Sequence, residues 1–176
     1  MQNKKRPNLL QYTRIILDTG PLVVFLGAIS DSGCFDEECT SKACNNASLT
    51  KFYKENGETF LKVISKIPFK LTPHVIAETS NFLKNSEFDI EQIFDANRGV
   101  IKEILLKSTE EHIMVKDLFA NPIFISHKDL GITDCILMAV TKTDLLLTHD
   151  GPLRQRAKEL GINAMLPYEF LSLGLQ

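Results

Sequence analysis

The order of apolar runs predicts an α/β protein built on a central parallel sheet of about four or five strands flanked by helices. Three observations lead there. Short apolar runs at 14–18, 122–125, 145–148 and 162–165 read as buried strands. Longer segments between them space apolar residues by three and four, as one face of a helix does. Strands separated by helices favour a parallel sheet covered on both sides. At 176 residues, with no internal repeat or low-complexity tract, the chain reads as one domain over 1–176.

Arg14-Ile15-Ile16-Leu17-Asp18 is the first strand, ended by a carboxylate. Thr19 or Gly20 then caps a helix and Pro21 suits its first turn. Leu22 to Ile29 is apolar almost all round, the pattern of a buried helix. From residue 30 the character changes. Asp31-Ser32-Gly33, Asp36-Glu37-Glu38 and Asn45-Asn46 mark a polar, cysteine-containing insertion at about 30–57, read as a loop with at most one helical turn. Helical spacing resumes at Phe60, Leu61, Ile64 and Ile67 and stops at Pro68. Thr72 caps the next helix and Pro73 opens it, with Val75, Ile76, Thr79, Phe82 and Leu83 on the inner face. Two more helices are expected over 90–107 and 110–119. After the run at 122–125, Ile132-Thr133-Asp134 starts a helix through about Thr143. Leu145 to Thr148 is a strand, Pro152 to Leu160 a helix closed by Gly161, and 162–165 a last strand.

Composition excludes several classes. Hydrophobic residues are 44% of the chain, too many for a disordered protein. No stretch approaches the ~20 apolar residues that span a bilayer, so no membrane association is expected. No apolar region follows the positive start at Lys4-Lys5-Arg6, which points to the cytoplasm and to reduced thiols. Cys34, Cys39 and Cys44 are evenly spaced but not in a zinc pattern; a loop with free thiols is favoured over a zinc site. The 20 basic and 22 acidic residues give a net charge of -2, which excludes a histone-like binder but not a local basic patch.

Open α/β sheets hold ligands beyond the carboxyl ends of their strands. Asp18 ends the first strand, and Asp150 lies two residues beyond Thr148. Glu78, in the second turn of its helix, and Asp134, in the first turn of its own, reach the same mouth by this reading. Taken singly, each Asp has a structural explanation as a cap, first-turn or turn residue. Together they pose a problem: one like-charged pair at ~4 Å costs on the order of 4 kcal/mol at an effective dielectric near 20. A hard divalent cation, which takes oxygen ligands, resolves it. Two such ions also clamp an in-line phosphoryl displacement.

Four segments carry a resemblance. Ile16-Leu17-Asp18-Thr19-Gly20-Pro21-Leu22-Val23, Thr72-Pro73-His74-Val75-Ile76-Ala77-Glu78-Thr79-Ser80-Asn81, Leu130-Gly131-Ile132-Thr133-Asp134 and Leu147-Thr148-His149-Asp150 resemble, in order and in their neighbours, the four acidic motifs of PIN domains. The resemblance spans roughly 14–170. It implies a PIN-like three-layer fold and an endoribonuclease dependent on Mg2+ or Mn2+. By it, Asp18, Glu78, Asp134 and Asp150 are the catalytic, metal-binding acids. Asp18 and Asp150 hold the principal ion, Asp134 lies close by, and Glu78 completes the site directly or through a water. Thr148 matches the hydroxyl residue that supports the first acid; Thr19, and Asn81 three residues after Glu78, are further candidates to hydrogen-bond around the acids. Many members are toxins paired with an antitoxin, others process RNA, and homodimers are common. The insertion at 30–57 has no counterpart in the compact bacterial toxins of the family.

RNA needs positive charge nearby. Arg154 and Lys158 share a helix face, Arg14 precedes the first strand, and His149 lies inside the last motif; these four are the candidate RNA contacts. A solvated helix face explains Arg154 and Lys158 equally well. His74 is expected on the surface, as are Asp129 and Asp144. No phosphate-binding G-x-x-x-x-G-K-[ST] loop, G-x-G-x-x-G turn or G-x-S-x-G elbow is present, which removes support for nucleotide hydrolysis, dinucleotide binding and serine hydrolysis. The rival reading is a non-catalytic module of the same fold that binds RNA or a protein.

Overall fold

Ile15-Ile16-Leu17 has no polar side chain, and its residues are at most 1% exposed, so it suits a strand covered on both faces. The computed structural model describes residues 12, 14–30, 47–85, 108–127, 129–141 and 143–174. Along them run β1 (Ile15–Leu17), α1 (Thr19–Ser30), α2 (Ala47–Ile64), β2 (Phe69–Leu71), α3 (Pro73–Asn85), β3 (Thr109–Glu110), α4 (Val115–Phe119), α5 (Pro122–Ser126), α6 (Ile132–Val140), β4 (Leu145–Leu147), α7 (Gly151–Glu159), β5 (Ala164–Met165) and α8 (Pro167–Gly174). The five strands form one sheet in the order β3-β2-β1-β4-β5. Every pairing is parallel, with Ile15 set between Phe69 and Leu145. This is the three-layer α/β architecture that the alternation of strands and helices predicts.

Helix α1 is apolar on nearly every side because it is enclosed. It packs on α2 and α3, and Leu22, Val23, Val24, Phe25, Ala28 and Ile29 are all buried. Phe25 meets Phe69 of β2 edge to face at 5.6 Å. Helix α8 packs on α2, and α7 on β5. Helix α7 ends in a Schellman turn. The Ile162 N–H reaches the Ala157 carbonyl, the Gly161 N–H reaches Lys158, and Gly161 takes the left-handed φ of 74° that such a turn requires.

Several expectations are corrected. Residues 122–125 are not a strand: Asn121 caps Ile123 N–H at 2.9 Å and Pro122 opens α5. Four apolar residues alone do not distinguish the two periods. The strands flanking β1 on that side are instead β2, interrupted by a lysine, and the exposed two-residue β3. The helix expected over 110–119 is confined to 115–119. The second half of the supposed insertion belongs to α2, where Leu49, Phe52, Tyr53, Phe60 and Ile64 form one buried stripe. Helix α1 starts at Thr19, with the Asp18 carbonyl accepting from Leu22 N–H, so Asp18 is the cap rather than Thr19 or Gly20. Ile76 is 43% exposed and does not face the core. Asp144 is buried, not solvent-facing. Helix α8 was not expected at all. The helix expected over 90–107 and Cys34, Cys39 and Cys44 lie outside the described residues.

Among the described residues no helix is long and apolar enough to cross a membrane.

Candidate functional site

From β1 the chain leaves toward β2 and β3, and it later returns to β4 on the other side of β1. The loops after β1 and β4 therefore diverge, which opens a crevice at their carboxyl ends. Asp18 follows β1, and Thr148-His149-Asp150 follows β4. Helix α3 brings Glu78 and the start of α6 brings Asp134, so the topology assembles at one place four acids far apart in sequence.

Hydroxyl groups stitch this assembly together. Thr148, fully buried, donates to Asp18 Oδ2 at 2.6 Å and accepts from the Asp150 N–H at 2.9 Å. The Thr19 N–H donates to Asp18 Oδ1 at 2.6 Å. The Thr19 hydroxyl donates to Glu78 Oε2 at 2.9 Å, and the Thr133 hydroxyl to Glu78 Oε1 at 2.6 Å. Asp150 caps α7 by accepting the Leu153 N–H at 2.8 Å. Thr133 was not singled out in the sequence, although it immediately precedes Asp134 in the third motif.

The acids feel each other. Burial raises the Asp18 carboxyl above the ordinary aspartate range, against the hydrogen bonds from Thr148 and Thr19, and Glu78 and Asp150 raise it further. Asp134 is pushed up to about 6, first by burial and then by Asp18, Asp150 and Glu78 in turn. No described ion pair joins a lysine or arginine to any of these four. Among the described residues no three His, Cys, Asp or Glu side chains close on one point as a finished metal cage. Glu78 accepts from two hydroxyls, and Asp150 Oδ1 accepts from its own helix. The donor chemistry nevertheless fits a hard cation. All four groups offer oxygen, and the two with raised pKa values are those that a nearby positive charge would relieve.

The other candidates fall in different places. Asn81 is exposed one turn beyond Glu78, and His74 is exposed. Arg154 pairs with Glu169, and Arg156 with Asp129 and Glu159, both at 3.3 Å. Lys158 is exposed. Arg14 lies at the opposite end of β1 from Asp18 and faces Asp144 at 3.5 Å. His149 alone of the four candidate RNA contacts lines the crevice. Burial holds its imidazole down to about 4, so the ring is neutral.

The crevice is a cleft of about 400 Å³ with Asp18, Asp150 and the start of α7 on one side. Val23, Leu49 and Phe82 supply an apolar side that the sequence reading missed. The signal was present in the spacing of Leu49, Phe52 and Tyr53, but the polar neighbourhood masked it. No protein-family model matches the chain, and no curated protein or solved structure matches it.

Proposed function

We propose that the chain is a metal-dependent endoribonuclease of PIN type, which hydrolyses RNA phosphodiester bonds at the cleft between β1 and β4. One observation carries this reading: Asp18, Glu78, Asp134 and Asp150 come together from four separate elements, tied through Thr19, Thr133 and Thr148, and burial together with the neighbouring acids raises the carboxyls of Asp18 and Asp134. The sequence motifs that resemble PIN domains supply the same four residues in the same order.

Asp18, Asp134 and Asp150 would hold Mg2+ or Mn2+, with Glu78 completing the set. Such an ion lowers the pKa of a bound water and neutralises charge that builds on the phosphate. The chain's own residues do the rest. Thr148 fixes the Asp18 carboxylate through one oxygen and the Thr19 N–H fixes it through the other. Thr19 and Thr133 fix the two oxygens of Glu78. The N-terminus of α7, with its positive dipole end at the cleft, favours an anionic substrate there. A toxin role, with an antitoxin as partner, and a homodimer are narrower forms of this reading.

The test is cleavage of a labelled RNA by purified protein with manganese, with magnesium and with chelator, alongside Asp18→Asn and Asp134→Asn. Metal-dependent cleavage lost in both variants supports the nuclease. Tight RNA binding without cleavage under any metal overturns it in favour of a non-catalytic module.

A further inference from the structure

Glu78 is held differently from the other three acids. Asp18 accepts the N–H of the next residue, Thr19, and Asp150 accepts the Leu153 N–H within its own helix. The Gly131 backbone bonds the Asp134 carboxyl from the start of the same helix. Glu78 projects from the exposed side of α3, and its described partners both come from other elements. The Thr19 hydroxyl of α1 reaches Oε2 at 2.9 Å, and the Thr133 hydroxyl of α6 reaches Oε1 at 2.6 Å. Helix α3 packs on α1, whereas α6 packs on α4 and α5. The Thr133 bond therefore ties Glu78 to a part of the chain outside the α1–α3 packing. Each of these threonines also adjoins another acid: Thr19 follows Asp18, and Thr133 precedes Asp134. Thr148 completes the series between Asp18 and the Asp150 N–H, so three threonines link the four acids.

We infer that Thr133 is a positioning residue for the cation: with Thr19, it holds the Glu78 carboxylate ordered beside Asp18 and Asp134 before an ion arrives. This inference rests on the metal-site reading of the acids and adds a residue to it. A free glutamate on an exposed helix face samples many rotamers, and an ion that bound it would have to remove that freedom at the expense of affinity. Two hydroxyl bonds remove it in the folded chain instead. They leave room for the ion, because a carboxylate offers about four lone-pair positions and the two hydroxyls take two of them. Threonine suits the task. Its branched Cβ restricts χ1, and Thr133 stands in the first turn of α6, where the backbone is fixed as well. A hydrogen bond that only tied α3 to α6 would contribute to stability and leave the affinity for an ion unchanged.

Manganese binding in the absence of RNA tests this, with the free ion followed by electron paramagnetic resonance as the purified chain is titrated. Thr133→Val keeps the side chain's shape and removes the hydroxyl. It is expected to raise the manganese Kd about five-fold, on the scale of one lost hydrogen bond. Thr133→Ser returns the hydroxyl and should recover most of the affinity. In a Glu78→Ala background, Thr133→Val is expected to change the Kd no further, because the residue through which it acts is gone. Circular dichroism and the urea midpoint, both in chelator, show which variants are folded, and Thr133→Ala carries the same expectation where Thr133→Val does not fold. An unchanged Kd in the folded variant overturns the positioning role and leaves the nuclease. An equal loss in the Glu78→Ala background overturns it too, since Thr133 would then act on the ion itself or through the fold. A wild type that binds no manganese removes the positioning role together with the ion. The expected pattern of affinities without RNA cleavage by any preparation keeps the positioning role and removes the nuclease.

Discussion

Asp144 and Asp150 stand at the two ends of β4, and the charges around them are arranged in opposite ways. Asp144 is 2% exposed and is met by Lys70 Nζ at 2.9 Å and Arg14 Nε at 3.5 Å. Lys70 also reaches Glu111 at 3.1 Å. Burial alone would lower its ammonium, but hydrogen bonds to Asp144 and then Glu111 hold it above the ordinary lysine range. At the other end of the sheet Asp150 keeps company with Asp18, Asp134 and Glu78, and hydroxyls and backbone N–H groups are their only described partners. The chain neutralises one end itself, whereas among the described residues no cation meets the acids at the other. An acid that the protein balances serves the fold. Acids left to repel one another are where the proposed cation would act.

Breaking the unbalanced end is expected to have the largest effect. Asp18→Asn keeps the acceptor oxygen that caps α1, and the Thr148 hydroxyl can turn to meet the new amide, so the fold survives. RNA cleavage should fall by roughly 10²–10⁴, the scale of removing one group from a metal-assisted phosphoryl site. Circular dichroism beside the cleavage assay checks both halves, and retained activity would take Asp18 out of the mechanism. Breaking the balanced end should do the reverse. Lys70→Met strips the main partner from a buried carboxylate and is expected to cost ~3 kcal/mol, read from the urea midpoint, with cleavage by the folded protein intact. Adding Asp144→Asn should restore part of the loss, because the stranded charge is gone.

The two ends were not equally legible in the sequence. The acidic end could be read because its residues sit at element junctions, in motifs such as Thr148-His149-Asp150, where strand end and helix cap coincide. The balanced end could not. Asp144 looks like a turn residue, and nothing in Phe69-Lys70-Leu71 says that a lysine inside a three-residue strand reaches a partner beyond the neighbouring strand. β2 and β3 escaped for the same reason: parallel pairing is non-local, and three residues or two carry too little periodicity to reveal it. α2 is the opposite case. Its stripe of Leu49, Phe52, Tyr53, Phe60 and Ile64 is strong, but charged residues around it and the polar run before it made the start look like loop. That single misreading also hid the apolar side of the cleft.

Supplying the missing charge should sharpen the contrast. A cation bound only by the folded state at about 100 times its Kd stabilises by ~2.7 kcal/mol. Manganese is therefore expected to raise Tm for the wild type and for Lys70→Met alike, with chelator reversing the rise. Asp18→Asn should lose it. A rise that persists in Asp18→Asn would place the ion elsewhere on the chain.

The smallest effect expected is a gain. In metal-free buffer Asp134 has a folded pKa of about 6 against an ordinary value of 3.8. A carboxyl raised in this way binds its proton more tightly in the folded state than in the unfolded chain. Its contribution to stability is full below pH ~4 and is lost as pH rises through ~6. Asp134→Asn removes the ionisable group and with it that loss. The variant should match the wild type near pH 4 and exceed it in Tm by about 2–4 °C at pH 7.5, a figure kept small because the side chain is only half buried and solvent screens it. Differential scanning calorimetry across that range, in chelator, measures the difference directly. A variant less stable than wild type at pH 7.5 would mean that Asp134 is balanced by its surroundings as Asp144 is, and the distinction between the two ends of the sheet would fail at that residue.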